Sequence, residues 1–92
     1  MVTAIILARI ARGAVPSAAG ALLELPGIGE VYSVAGDWDL VAIARVKRHD
    51  DLDELVTGKL AAIQAIESTK TLVAFRAYSR KDVRAMWDIG LD

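Results

Sequence analysis

No cysteine occurs in the 92 residues. Disulfides and thiolate metal sites are therefore excluded, and with them the cross-linked folds of small secreted domains. Histidine appears once, as His49. A single imidazole with no second ligand in a recognisable spacing makes a weak metal or haem site, so a solvent-exposed residue just ahead of a helix is expected there. Neither charge sign is in excess: the net charge is −1 and the pI about 5.7. Nothing in that balance draws the chain to nucleic acid. No apolar run approaches the roughly 18–20 residues needed to cross a bilayer. No positive charge precedes the N-terminal apolar segment, whereas Arg9 and Arg12 follow it, which is the wrong order for a signal peptide. A cytoplasmic protein is the expectation. Glycine-rich phosphate loops, nucleophile elbows and His/Cys clusters are also missing from the sequence.

What the chain has in quantity is apolar side chain, 54% of residues, with a mean hydropathy of +0.38. Its length suits one domain spanning residues 1–92, with a core over 2–78 and a tail over 79–92. A domain this small buries only about 60–70% of its unfolded surface. Burial of the surplus apolar surface between subunits is therefore expected.

Residues 2–11 are apolar and β-branched at their start and read as a strand ended by Gly13. Pro16 suits the first turn of a helix, where its missing N–H would be unpaired anyway. Ala18, Leu22 and Leu25 follow at helical spacing until Pro26-Gly27 stops them. Two alternating apolar runs, 28–35 and 40–47, joined through Gly36-Asp37, read as a hairpin. Asp50 is placed to cap a second helix, with Asp53 and Glu54 near its positive end. Leu52, Leu55, Val56, Leu60 and Ile63 form its stripe. Residues 71–78 read as a fourth strand. Ser79 and Asp82 have capping-box spacing for a short third helix over 80–88, with Val83, Met86 and Trp87 as its apolar side and Gly90 as its stop. The order is βαββαβ plus a short C-terminal helix. It predicts an α+β, ferredoxin-like domain: a four-stranded antiparallel sheet with two helices on one face.

Two helices cover only one face of such a sheet. Alternation puts Ala4, Ile6, Ala8, Ile10, Leu40, Ala42, Ala44, Val46, Val73, Phe75 and Ala77 towards the helices, the alanines permitting close approach. The other face carries an apolar centre, Ile5, Leu7, Val41, Ile43 and Leu72, and a basic end with Arg9, Arg45, Lys47 and Arg76. Leaving those five apolar side chains in water forgoes about 1.5–3 kcal/mol each. That sum rivals the roughly 5–15 kcal/mol that stabilises a small domain. Sheet-to-sheet dimerisation, giving an α/β sandwich or barrel, is the expected remedy. RNA binding across the open sheet would need aromatic residues on the central strands. Aromatics are only 5% of the chain, and the positions in question hold Val41, Ile43, Leu72 and Ala74.

The hairpin tip, Gly36-Asp37-Trp38-Asp39, is more heavily decorated than a plain turn requires. Asp37 and Asp39 suggest an acid/base or metal pair, help in binding an ammonium group, or simple turn fixing, since Asp is common in turns for backbone reasons. Trp38, far from the domain's centre, suits a pocket wall or a subunit contact. Ser68, Thr69 and Thr71 form a polar run whose hydroxyls, with nearby backbone groups, suit a carboxylate or amide, or ordinary edge-strand composition.

Three stretches together resemble the effector-binding domain of the Lrp/AsnC family, also called RAM: Leu25-Pro26-Gly27-Ile28, the run from Val31 through Gly36-Asp37-Trp38-Asp39 to Leu40, and Ile66-Glu67-Ser68-Thr69-Lys70-Thr71. The resemblance covers about residues 2–78 and agrees in element order. It implies sheet-packed dimers that often assemble further, commonly into octamers of four dimers, with amino acid effectors held between dimers. It implies ligand contacts from Gly36, Asp37, Trp38 and Asp39 and from Ser68, Thr69 and Thr71. Trp38 stands where tyrosine is frequent in the family, which reshapes or fills the pocket. The helix-turn-helix domain of full-length members is missing from the sequence, so the expectation is a stand-alone form. Such a form does not read DNA by itself; it senses a metabolite or joins full-length regulators. The leading expectation is thus a non-enzymatic ligand-sensing domain with no cofactor or membrane contact. The rivals are a small dimeric α+β-barrel enzyme of the monooxygenase or isomerase kind, and a purely structural oligomerisation module.

Overall fold

Alternation along the first strand sets the architecture. In the computed structural model, which describes residues 1–81, Ala4, Ile6, Ala8 and Ile10 of β1 (Val2–Ile10) are buried, while Ile5 and Leu7 between them are not. Helix α1 (Val15–Leu23) follows, then β2 (Ile28–Ser33), β3 (Leu40–Val46), helix α2 (His49–Asp53) with a π-helical continuation over Glu54–Leu60, and β4 (Ile66–Ala74). The sheet is four-stranded and antiparallel in the order β2-β3-β1-β4. The ferredoxin-like expectation holds.

Helix α1 begins after Ala14 with proline in its first turn, and ends at Leu23 rather than reaching Leu25. Leu25 still packs against the core from the following turn. Gly27 then turns the chain into β2 with φ +93°, and its carbonyl accepts a hydrogen bond from Arg45 N–H at 2.8 Å. A Cβ there would lie 2.9 Å from Val46 Cγ1, so both conformation and space call for glycine.

The second helix departs from expectation at its start. Its cap is Arg48, not Asp50: the Arg48 N–H donates to Asp51 Oδ2 at 3.2 Å, and Asp50 lies in the first turn. Leu52, Leu55 and Leu60 are buried, with Val56 and Ile63 packed at their margin. Leu55 and Leu60 are five residues apart, the spacing that i→i+5 bonding of a π-helix brings together.

The core lies between sheet and helices. Ile6, Leu22, Leu40 and Leu60 are its largest fully buried side chains, and Ala4, Ala8, Ala42 and Ala44 let the helices sit close. Among the described residues no polar or charged side chain is buried.

The fourth strand is the main correction. It starts at Ile66, five residues before the expected start, and ends at Ala74. Ser68 and Thr69 therefore belong to the strand, as Thr71 was expected to, and not to a loop leading into it. Val73 pairs with Ala4 and so shares the helix-side face, yet it is 41% exposed. Phe75 and Ala77 lie beyond the strand and are exposed, Phe75 completely, so they do not line the core as expected. From Asp82 onward the expected third helix, including Val83, Met86, Trp87 and Gly90, lies outside the described residues.

Candidate functional site at the hairpin tip

Strand pairing alone assembles the site. Leu40 of β3 pairs with Ala8 of β1, which pairs in turn with Thr69 of β4, forming one row across three strands. The loop from Val34 to Asp39 closes on this row: Val34 N–H donates to Asp39 O at 3.0 Å, and Asp39 N–H donates to Ala8 O at 2.9 Å. The connection is thus longer than a two-residue Gly-Asp turn. Gly36 within it has φ +124°, which only glycine adopts without strain.

The two aspartates do different things. Asp39 is half-buried, and its Oδ2 accepts the Ile10 N–H at 2.8 Å. This carboxylate ties the loop to the end of β1, at the point where the β1–β4 register shifts between Arg9 and Ile10. Asp39 therefore fixes the turn. Asp37 is exposed and contributes its backbone carbonyl, which accepts from Arg9 Nε at 3.3 Å and Arg9 Nη2 at 3.0 Å. The Arg9 guanidinium carbon lies 5.3 Å from the centre of the Trp38 ring, within cation–π range. Trp38 is half-buried.

The polar run of β4 arrives from the opposite side of β1. Ser68 pairs with Arg9 and shares its open face, whereas Thr69 and Thr71 pair with Ala8 and Ile6 and point to the helix side. The structure therefore brings Ser68 and Thr69 to the tip end of the sheet but divides them between its faces. Thr71 lies further along, half-buried. Along the β4 edge, a cleft of about 260 Å³ is lined by Glu67, Ser68 and Thr69 of the strand and by Val56, Leu60 and Ala61. A second cleft, of about 410 Å³, is lined by Gly27, Arg45 and Lys47 and by Glu54 and Lys59 of the π-helical segment.

The open face has the expected apolar centre. Ile5 lies between Ile43 and Leu72, and Leu7 is opposite Val41. Leu72 is 43% exposed, and Tyr32, paired with Val41, adds a half-exposed ring that alternation in the sequence did not single out. The basic residues do not share one end, however. Arg9 is at the hairpin tip, whereas Arg45 pairs with Thr3 at the far end of the sheet. Arg45 is held there by Glu30 at 3.1 Å, and Tyr32 Oη donates to the same carboxylate at 2.6 Å. Those two contacts, the Tyr32 hydrogen bond first, hold the Glu30 carboxyl below its ordinary range. The same hydrogen bond raises the Tyr32 phenol.

His49 is exposed as the first residue of α2. No group of three or more His, Asp or Glu side chains suited to a metal ion occurs among the described residues. No helix among them is long and apolar enough to cross a membrane.

Comparison with known proteins points in one direction. The model of the Lrp/AsnC ligand binding domain matches residues 3–83. An uncharacterised HTH-type transcriptional regulator of Pyrococcus horikoshii is 35% identical over 54 residues, covering 59% of this chain and 36% of that regulator. The chain thus spans little more than a third of the length of that relative. A Thermus thermophilus protein of known crystal structure is 45% identical with a TM-score of 0.82, over 87% of this chain and all of the other. A transcriptional regulator of Neisseria meningitidis, solved in complex with L-Met, shares the fold at a TM-score of 0.77 and 12% identity. That likeness covers 85% of this chain and 52% of the regulator.

Proposed function

The chain belongs to the Lrp/AsnC ligand-binding domain family, and on that premise we propose that it is a non-enzymatic sensor module. In this reading it self-associates through its open sheet face and binds an amino acid or related small metabolite at the hairpin-tip end. The bound state then modulates transcription through full-length regulators in the cytoplasm. The single observation that carries the reading is the family match over almost the whole chain, and the geometry supports it. Ile5, Leu7, Val41, Ile43 and Leu72 form one apolar surface that the helices leave uncovered. Gly36, Asp37, Trp38 and Asp39 lie beside that surface, with Ser68 and Thr69 one strand away and Thr71 further along β4. A dimer, or an octamer of four dimers, would bring several such tips together. The L-Met complex of the Neisseria regulator supports an amino acid as the ligand class.

The barrel-enzyme reading needs polar groups inside the protomer between helices and sheet. That space is lined by alanine, isoleucine and leucine, which weighs against it.

Titration calorimetry with the twenty amino acids, paired with sedimentation measurements of mass, tests the proposal. A ligand present at 100 times its Kd stabilises the folded state by about 2.7 kcal/mol, so thermal shift offers an independent readout. A particle two or eight times the 9.8 kDa protomer, stabilised by at least one amino acid, is the expected result. A monomer unaffected by all twenty would refute it.

A further inference from the structure

Arg9 differs from Arg45 and Arg48 in having no carboxylate within ion-pair distance among the described residues. Both aspartates of the tip are close in sequence to its contacts, yet neither neutralises it. Asp37 offers its backbone carbonyl, and the carboxylate of Asp39 accepts the Ile10 N–H. The guanidinium is nonetheless held in place: Nε and Nη2 both donate to one carbonyl oxygen, and the Trp38 ring lies against it. A guanidinium has five N–H donors in a planar fork. Donation along the Nε/Nη2 edge leaves the Nη1/Nη2 edge free, which matches the two oxygens of a carboxylate. Ser68, directly opposite Arg9 in the β1–β4 ladder and on the same sheet face, supplies a hydroxyl donor one strand away. Because the cation is already oriented, a bound anion loses little free energy to ordering it.

We infer that Arg9 is the anion-receiving residue of this domain, taking the carboxylate of the effector on its free edge, with Ser68 as a second donor and Trp38 as the support beneath. The inference rests on the ligand-binding reading and deepens it: the ligand must carry a carboxylate, and an amide of the same compound is discriminated against. Trp38 then acts chiefly through Arg9. Its substitution for a smaller ring changes how firmly the cation is held, not only the size of a pocket.

The test uses the full chain with Nε-labelled arginine. The Arg9 Nε–H resonance is assigned with an Arg9→Lys variant, and titrations use acetate, the twenty amino acids, and the amide of each amino acid that binds. Acetate and the binding amino acids are expected to move the Arg9 resonance. The amide should bind roughly tenfold to a hundredfold more weakly, the range of a lost charged hydrogen bond. In Arg9→Gln that acid-to-amide ratio should fall close to one at unchanged particle mass, with Arg9→Lys in between and Ser68→Ala milder. Equal binding of acid and amide, or a ratio preserved in Arg9→Gln, overturns the Arg9 assignment and leaves the sensor reading standing. A loss of assembly in Arg9→Gln with the ratio intact makes Arg9 a subunit contact and also overturns it. If neither acetate nor any amino acid binds, both readings fall.

Discussion

Removing the Asp39 carboxylate should loosen the hairpin tip by a calculable amount. The group accepts one backbone hydrogen bond, from Ile10 N–H at 2.8 Å, in a partly buried setting. Hydrogen bonds to a charged acceptor contribute about 1.5–3 kcal/mol, and an orphaned buried N–H carries a comparable penalty. Water reaches part of this site, so the lower half of the range applies. Asp39→Ala should then cost about 1.5–2 kcal/mol. Asp39→Asn keeps an acceptor oxygen without the charge and should cost less than about 1 kcal/mol. For a domain of this size the alanine variant corresponds to a drop of about 6–16 °C in melting temperature. Urea titration at fixed protomer concentration measures the difference, since assembly makes stability concentration-dependent. Amide exchange at Ile10 locates it. An alanine variant as stable as wild type, or an asparagine variant as damaging as alanine, would refute the argument that this carboxylate fixes the turn. Unchanged protection at Ile10 would refute it equally.

Other consequences can be checked independently. Gly27→Ala meets Val46 Cγ1 at 2.9 Å on top of its unfavourable φ, whereas Gly36→Ala meets nothing within 4 Å. Chemical denaturation should show Gly36→Ala costing about 1–2 kcal/mol from backbone conformation alone, and Gly27→Ala costing more; the reverse order would contradict the packing at the α1–β2 turn. The Glu30 carboxyl, held below its ordinary value near 4.5 by Tyr32 and Arg45, favours the folded state above that value and loses this contribution as pH falls through the lower folded value. Tyr32, held above its usual value near 10.0, contributes below that pH and loses the contribution as pH rises through its elevated folded value. An NMR titration should therefore find the Glu30 midpoint moved upward in Tyr32→Phe, and an unmoved midpoint would remove the hydrogen bond from the explanation. Leu72→Glu places a charge on the open face at a position already 43% exposed in the protomer. The fold should survive while the particle mass falls to 9.8 kDa, and an unchanged mass would show that assembly uses another surface.

Alternation and punctuation make most of the fold legible in the residues alone. β1 and β3 are central strands with one face against the helices, so their buried and exposed residues alternate as the pleat requires. The edge strand β4 was misplaced because burial hardly marks it: of its nine residues only Ile66 and Thr71 are even half-buried. Its conformation is imposed by the ladder with β1, so Ser68 and Thr69 looked like loop residues. The π-helical segment has a signal in the five-residue step between Leu55 and Leu60, but Val56, four residues before Leu60, lets the same run fit an α-helical stripe. Arg9 was placed on the open face correctly, but no local pattern connects it with a carbonyl 28 residues later.

The order of elements, the two-faced sheet and the unusual tip composition were thus determined by the sequence alone, because each follows from the spacing of side chains along a locally regular backbone. Which partners those side chains find was decided only by the tertiary structure. Pairing of β1 with β3 carries the tip to Arg9, diverts the Asp39 carboxylate onto a backbone N–H, and leaves the guanidinium without a counter-ion among the described residues. Pairing of β1 with β4 sets Ser68 opposite Arg9 on the same face and puts Thr69 and Thr71 on the other. Contacts between distant segments depend on register, and a shift of one residue would exchange the two faces.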